Sequence, residues 1–248
     1  MHAAGAGAPR RLSEGQTLKV QTSAGSAAHI RPGLVLLAGP LAEFPIRPAE
    51  WAFIVAADGG ARHALAQGVL PDHVIGDFDS MAPEDERRLA AAGVPVTRLP
   101  REKDLTDGEA AVRWAIEGGA ADFVVIAGGL GGRFDHALGS VILLEQLSRA
   151  GLGGYVTDGR QRVYLLRNGL QIPGKPGDQV SIIPLTSAVS GVTVRGVRWP
   201  LRDATLLASS TLTVSNEFVA GTASFSLRSG RAVVVHVPRL DGGRASVG

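Results

Sequence analysis

Four apolar runs, each closed by glycine or aspartate, are what most constrain the fold of this 248-residue chain. They cover residues 34–38, 53–57, 73–76 and 123–127, and they end at Gly39-Pro40, Asp58-Gly59-Gly60, Asp77 and Gly128-Gly129. Continuous apolar strands separated by helical patterns indicate parallel strands buried on both faces. Helical patterns over residues 61–67, 83–92, 107–117 and 134–149 complete an α/β unit. After Asp158-Gly159 the pattern changes. Short strands are expected at residues 163–166, 179–183, 192–194, 211–214, 223–227 and 232–237. Turn signals at Asn168-Gly169, Pro176-Gly177-Asp178 and Ser229-Gly230 punctuate them. That spacing predicts a small antiparallel β-sandwich. The expected organisation is a flexible Ala/Gly/Ser-rich extension over residues 1–33, a parallel α/β domain over 34–158 and a β-sandwich domain over 159–240.

Composition removes several classes of function. The formal charge is only +2, from 25 basic and 23 acidic side chains, and no basic stripe interleaves with aromatics, so nucleic acid is not an expected partner. With no cysteine, the chain has neither disulfides nor thiolate chemistry. No apolar run approaches the roughly 18 residues that suggest a membrane span. The first residues lack the compact apolar core of a signal peptide. A soluble, cytoplasmic protein is the expectation, with no membrane partner.

Acidic groups recur where the α/β strands end, and ligands of open α/β sheets bind beyond those ends. Asp58 follows one strand. Asp77 and Asp79, in Gly76-Asp77-Phe78-Asp79-Ser80, follow another. In extended chain, residues i and i+2 point to the same side, so both carboxylates are expected to face one way. Such a pair suits a hard divalent cation such as Mg²⁺; the competing reading of a lone Asp-x-Asp is a solvated turn. A second cluster is Lys103-Asp104-Leu105-Thr106-Asp107-Gly108-Glu109. Thr106 and Glu109 have capping-box spacing, which places Asp107 in the first turn of a helix. A Lys beside acids at a helix start suits a mixed phosphate and metal site. The third cluster, Gly128-Gly129-Leu130-Gly131-Gly132-Arg133-Phe134-Asp135-His136, joins a strand to a helix. Glycines let backbone approach phosphate, the helix start supplies free N–H donors, and Arg133 can fork onto phosphate oxygens. His136 reads equally as structural or catalytic.

In this order, these stretches resemble the thiamine pyrophosphokinase (thiamine diphosphokinase) family. The same is true of Gly196-Val197-Arg198-Trp199-Pro200-Leu201 and Ser215-Asn216-Glu217-Phe218 near the C-terminal end. The resemblance spans about residues 34–237. It implies a Rossmann-like catalytic α/β domain followed by a thiamine-binding β-sandwich, assembled as a homodimer with the active site near the interface. It implies transfer of the pyrophosphoryl group of ATP to the hydroxyethyl group of thiamine, giving thiamine diphosphate and AMP, with Mg²⁺ required. By carry-over, Asp58, Asp77, Asp79, Asp104, Asp107 and Asp135 form the catalytic acidic set, and Asp77, Asp79 and Asp107 are the metal-associated carboxylates. Lys103, Thr106, Gly131, Gly132, Arg133 and His136 would hold the ATP phosphates, and Trp199, Ser215 and Asn216 the thiamine. Arg62, Gly108 and Ser140 depart from the family's commonest residues without removing a metal ligand. Two alternatives stay open: a pyrophosphokinase for another hydroxyalkyl heterocycle such as hydroxymethylpterin, and a nucleotide- or thiamine-binding module without turnover.

Overall fold

The computed structural model describes residues 17–19 and 31–239, which divide into two units: residues 31–159, and residues 160–239 with 17–19. In chain order the first strands are β1 (Thr17–Lys19), β2 (Gly33–Leu36), β3 (Phe53–Ala57), β4 (His73–Gly76), β5 (Val96–Arg98), β6 (Phe123–Ala127) and β7 (Gly153–Thr157). The helices are α1 (Ala61–Leu65), α2 (Pro83–Ala91), α3 (Asp107–Glu117) and α4 (Phe134–Arg149).

In the first unit the strands run β7-β6-β2-β3-β4-β5, each neighbour pair parallel. The chain steps outward from β2 to β5, then crosses to the other side of β2 for β6 and β7. The boundary between β2 and β6 is therefore the switch point where such sheets open a crevice. Every residue of β2 and β3 is buried, as continuous apolar runs require. Helix α3 packs on β2, β3 and β4 through Ala111, Val112 and Ala115, whose small side chains let it lie close. Helix α4 buries Ser140, Leu143, Leu144 and Leu147, the i, i+3, i+4, i+7 stripe of a surface helix. Each buried leucine contributes about 1.5–3 kcal/mol. Strands β5 and β7 were not expected from the sequence. All three residues of β5 are exposed, so it carries no apolar signature. Strand β7 opens on two glycines, and a Cβ at Gly154 would lie 2.6 Å from the Val124 carbonyl oxygen.

The second unit continues with β8 (Arg162–Leu166), β9 (Gly169–Pro173), β10 (Gln179–Pro184), β11 (Ala188–Arg195), β12 (Leu201–Leu207), β13 (Asn216–Glu217), β14 (Thr222–Ser226) and β15 (Ala232–Val237). One sheet runs β1-β9-β14-β11-β12. Its pairs are antiparallel except for β1 on β9. The other layer, β13-β10-β15-β8, is wholly antiparallel. Tyr164, Leu170, Ile172, Phe218 and Phe225 fill the sandwich. The register of β11 against β12 slips between Val189 and Val192, and Gly191 supplies a φ of 70° there, as a bulge requires. The extension expected over residues 1–33 lies mostly outside the described residues, but Thr17–Lys19 within it is a strand. The strand expected at residues 211–214 is a turn. The Val214 N–H donates to the Thr211 carbonyl at 3.0 Å, and Ser215 follows at φ 65°. Its alternating Thr-Leu-Thr-Val pattern imitates a strand, yet Leu212 is 81% exposed. No helix among the described residues is long and apolar enough to cross a membrane.

Burial pushes His236 below the ordinary histidine value of 6.5, and its hydrogen bond to Asp178 offsets this only in part. Desolvation lowers His63 and His73 as well. An unfolded chain therefore binds protons before the folded one as the pH drops below that value, and folding stability falls. Asp178 works in the same direction lower down. Burial alone would raise its carboxyl, but N–H donors from Arg239 and Lys175, together with His236, bring it below its ordinary value. Its contribution is present above the unfolded carboxylate range and is lost as pH falls through the folded value. The melting temperature is expected to fall between about pH 7.5 and about pH 5. A flat profile by calorimetry would contradict a buried neutral His236.

Candidate active site

The acidic site is built where β3 and β4 end and α3 begins. Asp58 leaves β3 in the left-handed region, at φ 46°, inside a tight Asp58–Gly60 turn, and is 5% exposed. Ser80 fixes one of its oxygens: the hydroxyl donates to Oδ2 at 2.5 Å and the Ser80 N–H at 3.3 Å. The other oxygen, Oδ1, is buried and has no hydrogen-bond partner among the described residues. Desolvation raises the Asp58 carboxyl above its ordinary range despite the Ser80 bonds, with Asp107 and Asp77 adding repulsion. Gly76 permits this approach, since a Cβ there would sit 2.8 Å from the Asp58 Cβ.

Asp77 follows β4, and its Oδ1 accepts the Asp79 N–H at 3.2 Å. Phe78, between them, takes a φ of 65° and buries its ring under the Arg98 guanidinium at 4.5 Å. That left-handed residue interrupts the extended chain on which the same-side expectation rested. Asp77 turns toward Asp58 and Asp107, and each of the three offers an oxygen within 4.8 Å of the others. Asp79 meets Arg101 instead, at 3.2 Å. Lys103 places its ammonium 2.7 Å from Asp107 and 3.3 Å from Asp77. Desolvation pulls Lys103 down, but hydrogen bonds to Asp107 and Asp77 outweigh it, so its charge is held firmly. The Asp79 N–H and Lys103 keep Asp77 below its ordinary range.

Thr106 caps α3 as expected, accepting the Glu109 N–H at 3.1 Å. The reciprocal half of the capping box is replaced, because the Glu109 carboxylate turns to Arg113 at 2.6 Å and Gln146 at 3.0 Å. Asp104 is exposed and is not one of the three converging carboxylates. Arg133, Asp135 and His136 form an exposed turn at the start of α4, preceded by Gly131 and Gly132. Arg133 forks onto Asp135 at 2.6 and 3.2 Å, and this holds the Asp135 carboxyl down at about 2.

In the sandwich, Trp199 is 57% exposed and is held by Asn216 on both sides of its backbone. Its N–H donates to Asn216 Oδ1 at 3.1 Å, and Asn216 Nδ2 donates to its carbonyl at 2.8 Å. The Ser215 N–H donates to Ser181 Oγ at 2.9 Å. Trp199, Ser215 and Asn216 share the rim of a cavity of about 420 Å³ whose walls include Val180, Ile182 and Leu212. Sequence reasoning missed Ser80, Arg101 and these apolar walls. Ser80 stood in the same run as Asp77 and was readable as a partner; the walls carried no signal beyond strand alternation.

The chain thus joins a parallel α/β unit, with three carboxylates converging where β3 and β4 end and α3 begins, to a β-sandwich with an aromatic-rimmed cavity. Family models agree unit by unit. "Thiamin pyrophosphokinase, catalytic domain" matches residues 49–153 and "Thiamin pyrophosphokinase, vitamin B1 binding domain" matches residues 168–231. The chain belongs to the thiamine pyrophosphokinase family, and it is an enzyme of that kind. It is 29% identical over 183 residues to the thiamine pyrophosphokinase of Bacillus subtilis, covering 73% of this chain and 85% of that protein. A crystal structure of thiamine pyrophosphokinase from Bacillus subtilis superposes with a TM-score of 0.74 at 27% identity, over 84% of this chain and 100% of that one. Thiamin pyrophosphokinase from Candida albicans, 14% identical, shares the fold with a TM-score of 0.73 over 93% and 96% of the two chains.

Proposed function

We propose that this enzyme transfers the pyrophosphoryl group of ATP to the hydroxyethyl oxygen of thiamine, releasing AMP and thiamine diphosphate. The observation that carries the proposal is the convergence of Asp58, Asp77 and Asp107, with a buried carboxylate oxygen of Asp58 left without a partner. A fold gives up stability to bury such an oxygen unless a cation or donor completes it. Three hard oxygen donors fit Mg²⁺. Asp58, Asp77 and Asp107 would hold the ion, with Asp79 at the rim beside Arg101. Bound Mg²⁺ supplies neutralisation of the polyphosphate oxygens and polarises the β-phosphoryl group.

The protein's own groups do the rest of the positioning. Lys103 sits between Asp77 and Asp107 and presents a fixed cation to phosphate. Arg133, already exposed at the glycine-rich turn, can exchange Asp135 for a phosphate oxygen by the same forked contact. The N–H groups at the start of α4 favour anions there, and the His136 N–H already holds an Asp135 carboxylate oxygen at 3.0 Å. Gly131 and Gly132 keep that turn free of side chains. Thr106 contributes by capping α3, which fixes Asp107. Thiamine is a flat cation, and Trp199 offers it a face above an apolar cavity, with Ser215 and Asn216 at the rim. The reading extends to a homodimer, for which the exposed apolar stripe Phe134, Leu138 and Ile142 on α4 offers a surface.

Purified protein given ATP, Mg²⁺ and equal thiamine and hydroxymethylpterin is expected to pyrophosphorylate thiamine alone. A pterin product without thiamine diphosphate would overturn the assignment. Trp199→Ala is expected to raise the KM for thiamine about tenfold or more by removing the ring face, while the KM for ATP stays unchanged. Steady-state kinetics with each substrate varied checks this, and an unchanged thiamine KM would place Trp199 outside the pocket.

A further inference from the structure

We propose that the buried pair Asp178–His236 is a positioning pair for the thiamine pocket, setting strand β13 and through it Asn216 and Trp199; this rests on the function proposed above. Asp178 and His236 are 2% and 1% exposed, and His236 Nε2 lies 2.9 Å from Asp178 Oδ2. Asp178 also accepts the Lys175 N–H at 2.9 Å and the Arg239 N–H at 2.8 Å. A carboxylate with three donors around it is ionised, so Nε2 carries the imidazole proton. His236 Nδ1 is then a buried acceptor with no partner among the described residues. Well-packed apolar residues would fill this space at less cost. Stability alone is therefore a poor reason for the pair.

What the pair holds is the segment that carries the pocket rim. The Phe218 N–H donates to the Asp178 carbonyl at 2.9 Å, and the Gly177 N–H donates to the Phe218 carbonyl at 2.9 Å. The Phe218 ring lies on the His236 ring with centroids 5.0 Å apart. Gly174 presses the turn onto both, since a Cβ there would fall 2.6 Å from the Phe218 ring and 3.1 Å from Asp178 Oδ2. Residues 216–219 in turn carry the Trp199 loop. The Arg198 N–H donates to the Glu217 carbonyl at 2.8 Å, the Val219 N–H to Gly196 at 3.0 Å, and Asn216 brackets Trp199. The chain of contacts runs from His236 and Asp178 through Phe218 to Asn216 and Trp199, all within the sandwich.

The test compares the full-length protein with His236→Leu, which deletes the donor, and His236→Gln, whose amide N–H replaces it. His236→Leu is expected to raise the KM for thiamine about tenfold, with the KM for ATP and kcat within about threefold of wild type; His236→Gln restores the thiamine KM. A folded His236→Leu with an unchanged thiamine KM, or an equal rise in both KM values, overturns the proposal. Where His236→Leu fails to fold, Phe218→Leu keeps the pair and removes the ring that touches His236. It must give the same thiamine-only rise, and an unchanged thiamine KM there overturns the proposal as well. Iodide quenching of Trp199 emission, isolated by subtracting Trp199→Phe, separates this inference from the function beneath it. The emission is expected to change in His236→Leu and not in His236→Gln, whether or not thiamine proves to be the acceptor. Identical quenching in all three proteins overturns the positioning role, whereas a wild type that fails to make thiamine diphosphate overturns the function alone.

Discussion

Asp58→Asn is expected to raise the melting temperature by about 2 °C or more while lowering kcat by roughly 10³-fold. The two effects have one cause. Asp58 is buried with one oxygen tied to Ser80 and the other unpartnered, close to two further carboxylates. Burial and that repulsion raise its carboxyl above the ordinary range, so the ionised form is a cost the folded protein bears at neutral pH. An amide has the same shape, keeps an acceptor for the Ser80 hydroxyl and adds a donor facing Asp77 and Asp107. Removing the charge relieves the fold and disables the site, as expected where stability has been given up for function. Calorimetry and steady-state kinetics on one preparation decide it. A folded variant with near-normal turnover would take Asp58 out of the site, and a large drop in melting temperature would make its role structural.

Gly60→Ala is expected to cost about 1–3 kcal/mol of stability by overpacking and to reduce kcat/KM roughly 10²-fold by displacement of a catalytic group. Helix propensity argues the other way. Gly60 caps α1 at φ −60°, ψ −24°, where alanine is comfortable and gains up to about 1 kcal/mol. Packing wins, because the new Cβ would lie 2.3 Å from the Leu36 carbonyl oxygen and 2.8 Å from its carbon. Leu36 ends β2, a central strand bonded on both sides, and cannot retreat. The Asp58–Gly60 turn must move, and it carries Asp58. Urea denaturation and kinetics check both effects. A more stable variant with full activity would show that the turn has room that the backbone contact denies.

Much of this was legible in the sequence where local and tertiary signals agree. Helices α3 and α4 occupy the expected residues 107–117 and 134–149, because Thr106 caps the first and the leucine stripe marks the second. The buried strands β2, β3 and β6 announced themselves as unbroken apolar runs. Strands β5, β9 and β12 did not: β5 and most of β12 are exposed, and β9 begins with the glycine of a turn signal. Asp58 and Asp77 were readable as aspartates at strand ends and Asp107 as an acid at a helix start, but the geometry that brings these three together was not. That geometry depends on two non-glycine residues in the left-handed region, Asp58 and Phe78, which local patterns do not announce. They turn Asp58 and Asp77 inward and leave Asp79 to Arg101. The turn at residues 211–214 misled for a related reason, since alternation marks a strand only where neighbours complete the ladder.

We propose that the acidic site moves two phosphates as one unit from ATP to thiamine. Phosphorus NMR of a mixture of enzyme, ATP, Mg²⁺ and thiamine reads this directly. AMP and thiamine diphosphate are expected to appear one for one, with no ADP and no thiamine monophosphate at any time. ADP accumulating with thiamine monophosphate would mean single phosphoryl transfer and would contradict pyrophosphoryl transfer at this site.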